Sequence, residues 1–437
     1  MTSAADDSDE MPAGRRLHVL MCAGACHPDF GSEFAVGWQW ITAAARRHRV
    51  TVVAGDARGT AEAVERRLKA DPVLARNVTF RFLPWFDPPA TKVLESLWVA
   101  VPPIYYHFYR RWLRLAADEI ARVIADDPAD IVHHVTYICY REPGVAWRLG
   151  VPYVWGPIGG TQNVPWAFLP SLGLYDGCRH AARNVLNWLD LHCRRDVAAA
   201  MSTSACLSAV ASDTQQEIRR LFHRSSVVIP ATSCESGIAK SAKDGDLAAE
   251  PVRFVFSGLH IARKGLPYAL EALGRLRDLP WSLDVLGSGP LTEAWRRRAV
   301  RLQIDDRVRF HGFLPRADAV RVMANADAFV FPSLQEGWPT VVIEALSLGL
   351  PVVTPWHHGM ADMIDDECGF PLRIDRPSNL VEDLTIALRT LASDRKVLQR
   401  LSAGAVRRAE LFSRERQVDA INELYRQAAS SRKVERA

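Results

Sequence analysis

At 437 residues the chain has room for two domains of ordinary size, each with its own core. With 48% apolar and 24% charged residues it reads as a soluble globular protein, and a net charge of +4 is too small to argue for nucleic acid as a partner. The cysteines are scattered, with no C-x-x-C pair and no second ligand pair beside Cys22 and Cys26, which argues for reduced thiols and against a disulfide framework or a zinc site.

Residues 1–14, MTSAADDSDEMPAG, are small and acidic and lack a basic stretch followed by an apolar one; they are expected to form a disordered leader, not a signal peptide. No apolar run approaches the roughly 20 residues that span a bilayer. The expected location is therefore cytoplasmic, with the inner face of the membrane as the place to meet a lipid-linked partner.

From residue 16 the chain alternates short apolar runs with helical patterns. "RLHVLMCAG" predicts a strand over 16–24, "EFAVGWQWITAAARRH" a helix over 33–48 and "RVTVVAG" a strand over 49–55. Further strands are predicted at 78–84, 130–136 and 151–157, then in "SACLSAVA" and "SSVVIPA". Strands that are apolar throughout and joined by helical crossovers predict a parallel sheet covered on both faces. The stretch 233–251, rich in Ser, Lys, Asp and Ala, reads as a linker. The alternation then restarts at 252–258 and predicts five strands: this one, "SLDVLGSG" (282–289), "VRFHGFL", "AFVFPS" (328–333) and "PVVTP". The predicted class is α/β, with two facing Rossmann-like, doubly wound parallel-sheet domains over 15–232 and 252–415, and a C-terminal helix over 416–437 packing back on the first.

Open parallel sheets bind ligands beyond the carboxyl ends of their strands, so the loops there are the places to search. In "FVFSGLHIARKG", Ser257 and Gly258 allow close backbone approach, and Arg263 and Lys264 put two cations before a helix, a setting that suits a diphosphate. Alone, the same pair also reads as a solvated basic loop. Gly287 in "VLGSGP" gives another turn, though without the third glycine of a dinucleotide fingerprint. "HGFL", with Gly312 and Phe313, offers an open backbone edge to a nucleobase. In "LQEGWPTVVIEALSLGLP" the turn holds Glu336, Pro339 fits the first helical position, and Glu344 stands about five residues into the helix among apolar neighbours. A charge so placed needs a dedicated partner. Two carboxylates set so differently fit one extended ligand touched at two points better than an acid/base pair.

The E-x7-E of "EGWPTVVIE", preceded by "NADAFVFPS" and by "ARKG" further upstream, resembles the donor site of retaining glycosyltransferases of family 4, which have the GT-B fold. The resemblance is specific over 252–372 and looser before it. It implies a nucleotide diphosphate sugar as donor, no metal or other cofactor, and a sugar or lipid-linked acceptor. Lys264 and Arg263 would then hold the diphosphate. Glu336 would face the donor sugar with the backbone amides of Gly337 and Trp338 beside it, and Pro339 and Thr340 would belong to the same donor-binding stretch. Glu344 would take the ribose hydroxyls. The chain departs from the pattern at Leu259, where the family commonly has arginine. It departs again at "HHGMAD", where His358 and Asp362 stand in a Gly-Gly-x-x-Glu motif.

On the acceptor side, "HPDFGSEFAVGW" supplies Gly31, Ser32 and Glu33, "DIVHHVTY" supplies His133 and His134, and "WGPIGGTQ" supplies Gly159 and Gly160. Adjacent residues of a strand point to opposite faces, so at most one histidine reaches the cleft. The match favours His133, in a catalytic place; a satisfied core histidine is the alternative. "LESLWVAVPPIYYHFYRRWLRL" (94–115) combines aromatics with arginines and suggests a peripheral membrane contact, the alternative being a helix whose aromatics pack on the sheet. The expected function is glycosyl transfer in surface or exported polysaccharide or glycolipid assembly. The rivals are a GT-B-type epimerase or phosphorylase and a non-catalytic nucleotide-sugar binder.

Overall fold

A computed structural model describes residues 15–85, 102–234 and 250–434. The expectations for 1–14, for 94–101 and for nearly all of 233–251 lie outside the described residues.

The first sheet has seven parallel strands: β1 His18–Ala23, β2 Arg49–Asp56, β3 Val78–Pro84, β4 Ile131–Thr136, β5 Tyr153–Ile158, β6 Cys206–Ala209 and β7 Val227–Val228. Their order is β3-β2-β1-β4-β5-β6-β7. β1, β4 and β5 are buried along their whole length, which is why they read as unbroken apolar runs.

The second sheet repeats the plan with β8 Val252–Ser257, β9 Trp281–Leu286, β10 Val308–Gly312, β11 Ala328–Val330, β12 Val352–Pro355 and β13 Gly369–Leu372, in the order β10-β9-β8-β11-β12-β13. The sequence predicts five strands here and the structure has six. The additional one, β13, contains Pro371 and pairs only with β12. Proline cannot donate to a ladder, so an edge is where it is tolerated, and it hides the strand from a pattern search. In both sheets the strand order reverses beside the first strand of the half, between β1 and β4 and between β8 and β11. Such a switch point opens a crevice for ligand.

The two halves are tied at the chain crossings. The Cys234 N–H donates to the Phe412 carbonyl at 3.0 Å and the Arg414 N–H to the Cys234 carbonyl at 3.1 Å. The helix Arg414–Val434 then lies on the first sheet, where the Tyr425 hydroxyl meets His133 Nδ1 at 2.7 Å. At the hinge the Trp338 indole N–H donates to the Thr232 carbonyl at 3.2 Å, and its ring meets Phe412 edge-on at 5.4 Å.

Candidate functional site

Lys264 and Arg263 end a short 3-10 turn, Ala262–Lys264, beyond β8, and Glu336 lies in the loop after β11. The switch point of the second sheet therefore brings them together. One oxygen of Glu336 accepts from Lys264 Nζ, from Arg263 Nη1 at 3.2 Å and from the Ser333 hydroxyl at 2.6 Å. Arg263 also donates to the Gln335 carbonyl at 2.6 Å, and Lys264 Nζ lies 4.9 Å from the centre of the Phe331 ring. Burial pushes the Lys264 amine down, with Glu336 opposing. Burial pushes Glu336 up, but Lys264 and Arg263 outweigh it and hold the carboxyl below its usual range. Two cations share one carboxylate, which leaves an excess positive charge at the mouth of the sheet.

The glycines let these loops close on one another. A Cβ on Gly287, whose φ is +106°, would stand 2.0 Å from the Gly258 carbonyl oxygen; one on Gly359 would stand 2.0 Å from that of Gly337. Beside them, the Gly312 carbonyl accepts from the Gly287 N–H at 2.9 Å, and Phe313 stands 81% exposed at the rim. Pro339 caps the helix Thr340–Ser347, one position before its expected place, and Glu344 is on that helix. The partner demanded by Glu344 is Arg316, whose Nε and Nη2 lie 3.0 and 2.9 Å from its Oε1.

One expectation needs correction. His133 does not reach the cleft: it is fully buried, with Nδ1 on Tyr425 and Nε2 2.8 Å from the Gly156 carbonyl. Burial holds it neutral, pushed down to about 3. His134, on the opposite face, is also buried and pushed down to about 4 by that burial. The side chains of Trp338 and Thr340 turn to the hinge, where Thr340 Oγ1 meets Thr232 Oγ1 at 3.0 Å, so only their backbone could face a ligand beside Glu336. The described part of the 94–115 segment sends Tyr109, Trp112 and Leu113 into the core and leaves Arg110, Arg111 and Arg114 exposed.

On the acceptor side Gly31 is exposed, and Ser32, with φ of +56°, precedes the helix Glu33–Ala45. Glu33 Oε2 accepts from the Ile138 N–H at 3.2 Å, and burial raises its carboxyl to about 7 against that bond. Gly159 exchanges backbone hydrogen bonds with Ile138 and Tyr140 at 3.1 Å each, which sets Gly160 beside the same loop.

The structure adds residues the sequence did not single out. Gln335 Nε2 crosses between domains to the Gln162 carbonyl at 2.7 Å. The same carbonyl accepts from Arg183 Nη1 at 2.9 Å. Arg183 lies on the helix Leu174–Cys193, and its pKa is lowered by burial and by the charges of Arg141 and Arg263. A guanidinium pressed toward two others suits an anionic ligand. Its signal is an arginine among the inward positions His180, Asn184 and Asn187 of an amphipathic helix.

Residues 251–394 match the family model described as "Glycosyl transferases group 1". WcaL of Escherichia coli (strain K12), named for colanic acid biosynthesis, is 26% identical over 184 residues, 35% of this chain and 45% of that protein. The amylovoran biosynthesis glycosyltransferase AmsK of Erwinia amylovora is 30% identical over 128 residues, 28% of this chain and 31% of that one. The chain thus spans less than half the length of these relatives. Among solved structures, Anabaena Alr3699/HepE in complex with UDP and glucose superposes with a TM-score of 0.57 at 16% identity, covering 95% of this chain and 100% of that one. This likeness is one of fold.

Proposed function

We propose, from the premise that residues 251–394 belong to the glycosyl transferases group 1 family and that the chain has the GT-B fold, that this protein moves a glycosyl group from a nucleotide diphosphate sugar to an acceptor. The process would be polysaccharide or glycolipid assembly, a reading supported by what WcaL and AmsK are named for. The observation that carries it is the Arg263–Lys264–Glu336 cluster at the switch point of the second sheet.

Breaking the bond to the sugar puts negative charge on the diphosphate. Lys264 and Arg263 stand where that charge would develop, and Arg183 adds a third cation from the other domain. Such preorganised charge stabilises the departing group without reorganisation, and a metal is not needed to balance it. Glu336, gripped by Lys264, Arg263 and Ser333, is engaged as an anchor and is a poor nucleophile. We therefore favour a same-face, retaining substitution assisted by the leaving phosphate. Glu344 would receive the ribose hydroxyls, with Arg316 giving way. Glu33, its carboxyl near neutrality, would accept from an acceptor hydroxyl.

The test is thermal shift against UDP, GDP and ADP and their sugars with EDTA present. UDP-sugars come first because HepE holds UDP and glucose. A ligand at a hundredfold excess over its dissociation constant stabilises the native state by about 2.7 kcal/mol. A shift with one nucleotide in EDTA supports the reading, and none with any of them counts against it. Leu259, 61% exposed where the family's arginine is expected, favours a second reading, a non-catalytic nucleotide-sugar binder. That protein would show the shift but release no nucleotide when given acceptor extracts.

A further inference from the structure

The helix Leu174–Cys193 buries Gly177, His180, Asn184, Asn187 and Leu191 on its inner side. Its outer side carries Leu174, Tyr175, Val185, Leu186, Trp188 and Leu189, all exposed, the first two at 87% and 80%. This is the densest group of exposed large apolar side chains among the described residues. Single exposed leucines are ordinary, but a whole apolar helix face in water is not, and it marks an interaction surface.

The chemistry around that face narrows the partner. The loop after β4 joins this helix to the helix Pro102–Asp126. Arg110 donates to both oxygens of Glu142 at 3.0 Å, and Arg194 Nη1, just past Cys193, lies 3.6 Å from the same carboxylate. Arg114, one turn beyond Arg110 on the helix Pro102–Asp126, and Arg195, next to Arg194, are exposed. The acids of the stretch are each engaged: Asp176 by Arg179, Asp190 by Arg141 and Asp196 by Arg194. The face is therefore apolar and aromatic at its centre and cationic at its end. That pattern fits the interface of an anionic bilayer better than another protein's apolar groove. Among the described residues no helix is long and apolar enough to cross a membrane, so the geometry is that of a helix lying in the surface.

We propose that the outer face of the 174–193 helix docks on an anionic lipid surface, with Arg114 and Arg195 as its cationic rim. Arg183, on the same helix, turns toward Gln162 and the cleft, so docking holds the mouth of the cleft beside the lipid. The use of that arrangement for a lipid-linked acceptor rests on the proposed transferase function; the docking itself does not.

The experiment is co-sedimentation of the full chain with phosphatidylcholine vesicles, with and without phosphatidylglycerol, at low and high salt. The wild type is expected to pellet with the anionic vesicles at low salt and to be released by salt or by omission of the anionic lipid. A Leu186→Glu/Trp188→Glu double variant is expected to stay in the supernatant, and Arg114→Gln/Arg195→Gln to bind about fivefold more weakly per residue changed. Melting temperature and nucleotide-induced shift, measured on the same variants, are expected to be unchanged. Loss of docking is thereby distinguished from misfolding and from failure of the donor-site reading. Wild-type protein that stays in the supernatant with anionic vesicles overturns the proposal, as does a double variant that still pellets. A wild-type dimer in analytical ultracentrifugation that the double variant dissolves would assign the face to a second copy and overturn it equally.

Discussion

The Asp362 carboxylate, in the second domain, accepts from both the backbone N–H and the hydroxyl of Ser212, in the first, at 2.6 Å each. Ser212 begins the helix Ser212–Phe222, so the carboxylate caps that helix from the facing domain and meets its positive end. A charge-assisted pair at such a place stabilises by about 1–2 kcal/mol. Asp362→Ala should therefore leave each domain folded while loosening their closure. The expected result is a larger radius of gyration in small-angle scattering together with a lower kcat/KM. An unchanged radius would remove Asp362 from that role.

At the donor side, Lys264→Ala removes the more buried of the two cations that meet Glu336. Loss of one preorganised charge of this kind lowers kcat by about 100–1000-fold. Glu336→Gln weakens the grip on Lys264 and Arg263 together and should also lower turnover. The check is single-turnover kinetics on each variant with nucleotide affinity measured alongside. Turnover near wild type in Lys264→Ala would refute its role.

Much of this site was legible because its residues sit at strand ends, where an apolar run stops and a polar loop begins. Ser257, Gly258, Arg263 and Glu336 lie close to such boundaries, and the doubly wound plan converts boundary positions into neighbours. Other features have no local signature. Asp362 pairs with Ser212 across 150 positions, and only the packing of two domains selects it. His133 was misplaced for a related reason. Alternation along β4 shows that the two histidines face opposite ways, but not that the C-terminal helix covers one of those faces. Glu344 announced its need for a partner without naming Arg316, which lies 28 positions earlier on another helix.

That pair gives a further test. Arg316 is 80% exposed, so its ion pair with Glu344 is solvent-screened and adds at most about 1 kcal/mol to stability. If Glu344 receives the ribose, Glu344→Ala should weaken nucleotide binding by about tenfold, a loss of about 1.4 kcal/mol. The ligand-free melting temperature should barely move. Isothermal titration against the nucleotide that gives the largest thermal shift is the measurement, and equal affinities for variant and wild type would refute the assignment.

The buried histidines predict how the fold responds to acid. His133 is held neutral by burial, at about 3, and His134 likewise at about 4, against an ordinary value near 6.5. Between those limits the unfolded chain binds protons that the native one refuses, so stability rises with pH and falls as pH drops below about 6.5. Each such histidine costs about 1.4 kcal/mol per pH unit across that window. Glu33 has the opposite sign. Raised by burial from an ordinary value of 4.5 to about 7, its contribution is fully present below about 4.5 and is lost as pH rises from there to about 7. His133→Gln should therefore flatten the acid side of the stability profile. It should also lower stability at pH 8 by about 1–3 kcal/mol, because a buried partner of Tyr425 or Gly156 is left unsatisfied. Glu33→Gln should remove that opposing slope and so steepen the rise in stability between about pH 4.5 and 6.5. Urea melts of the three proteins at several pH values read both effects. A His133→Gln profile parallel to wild type would show that its imidazole titrates freely in the native state.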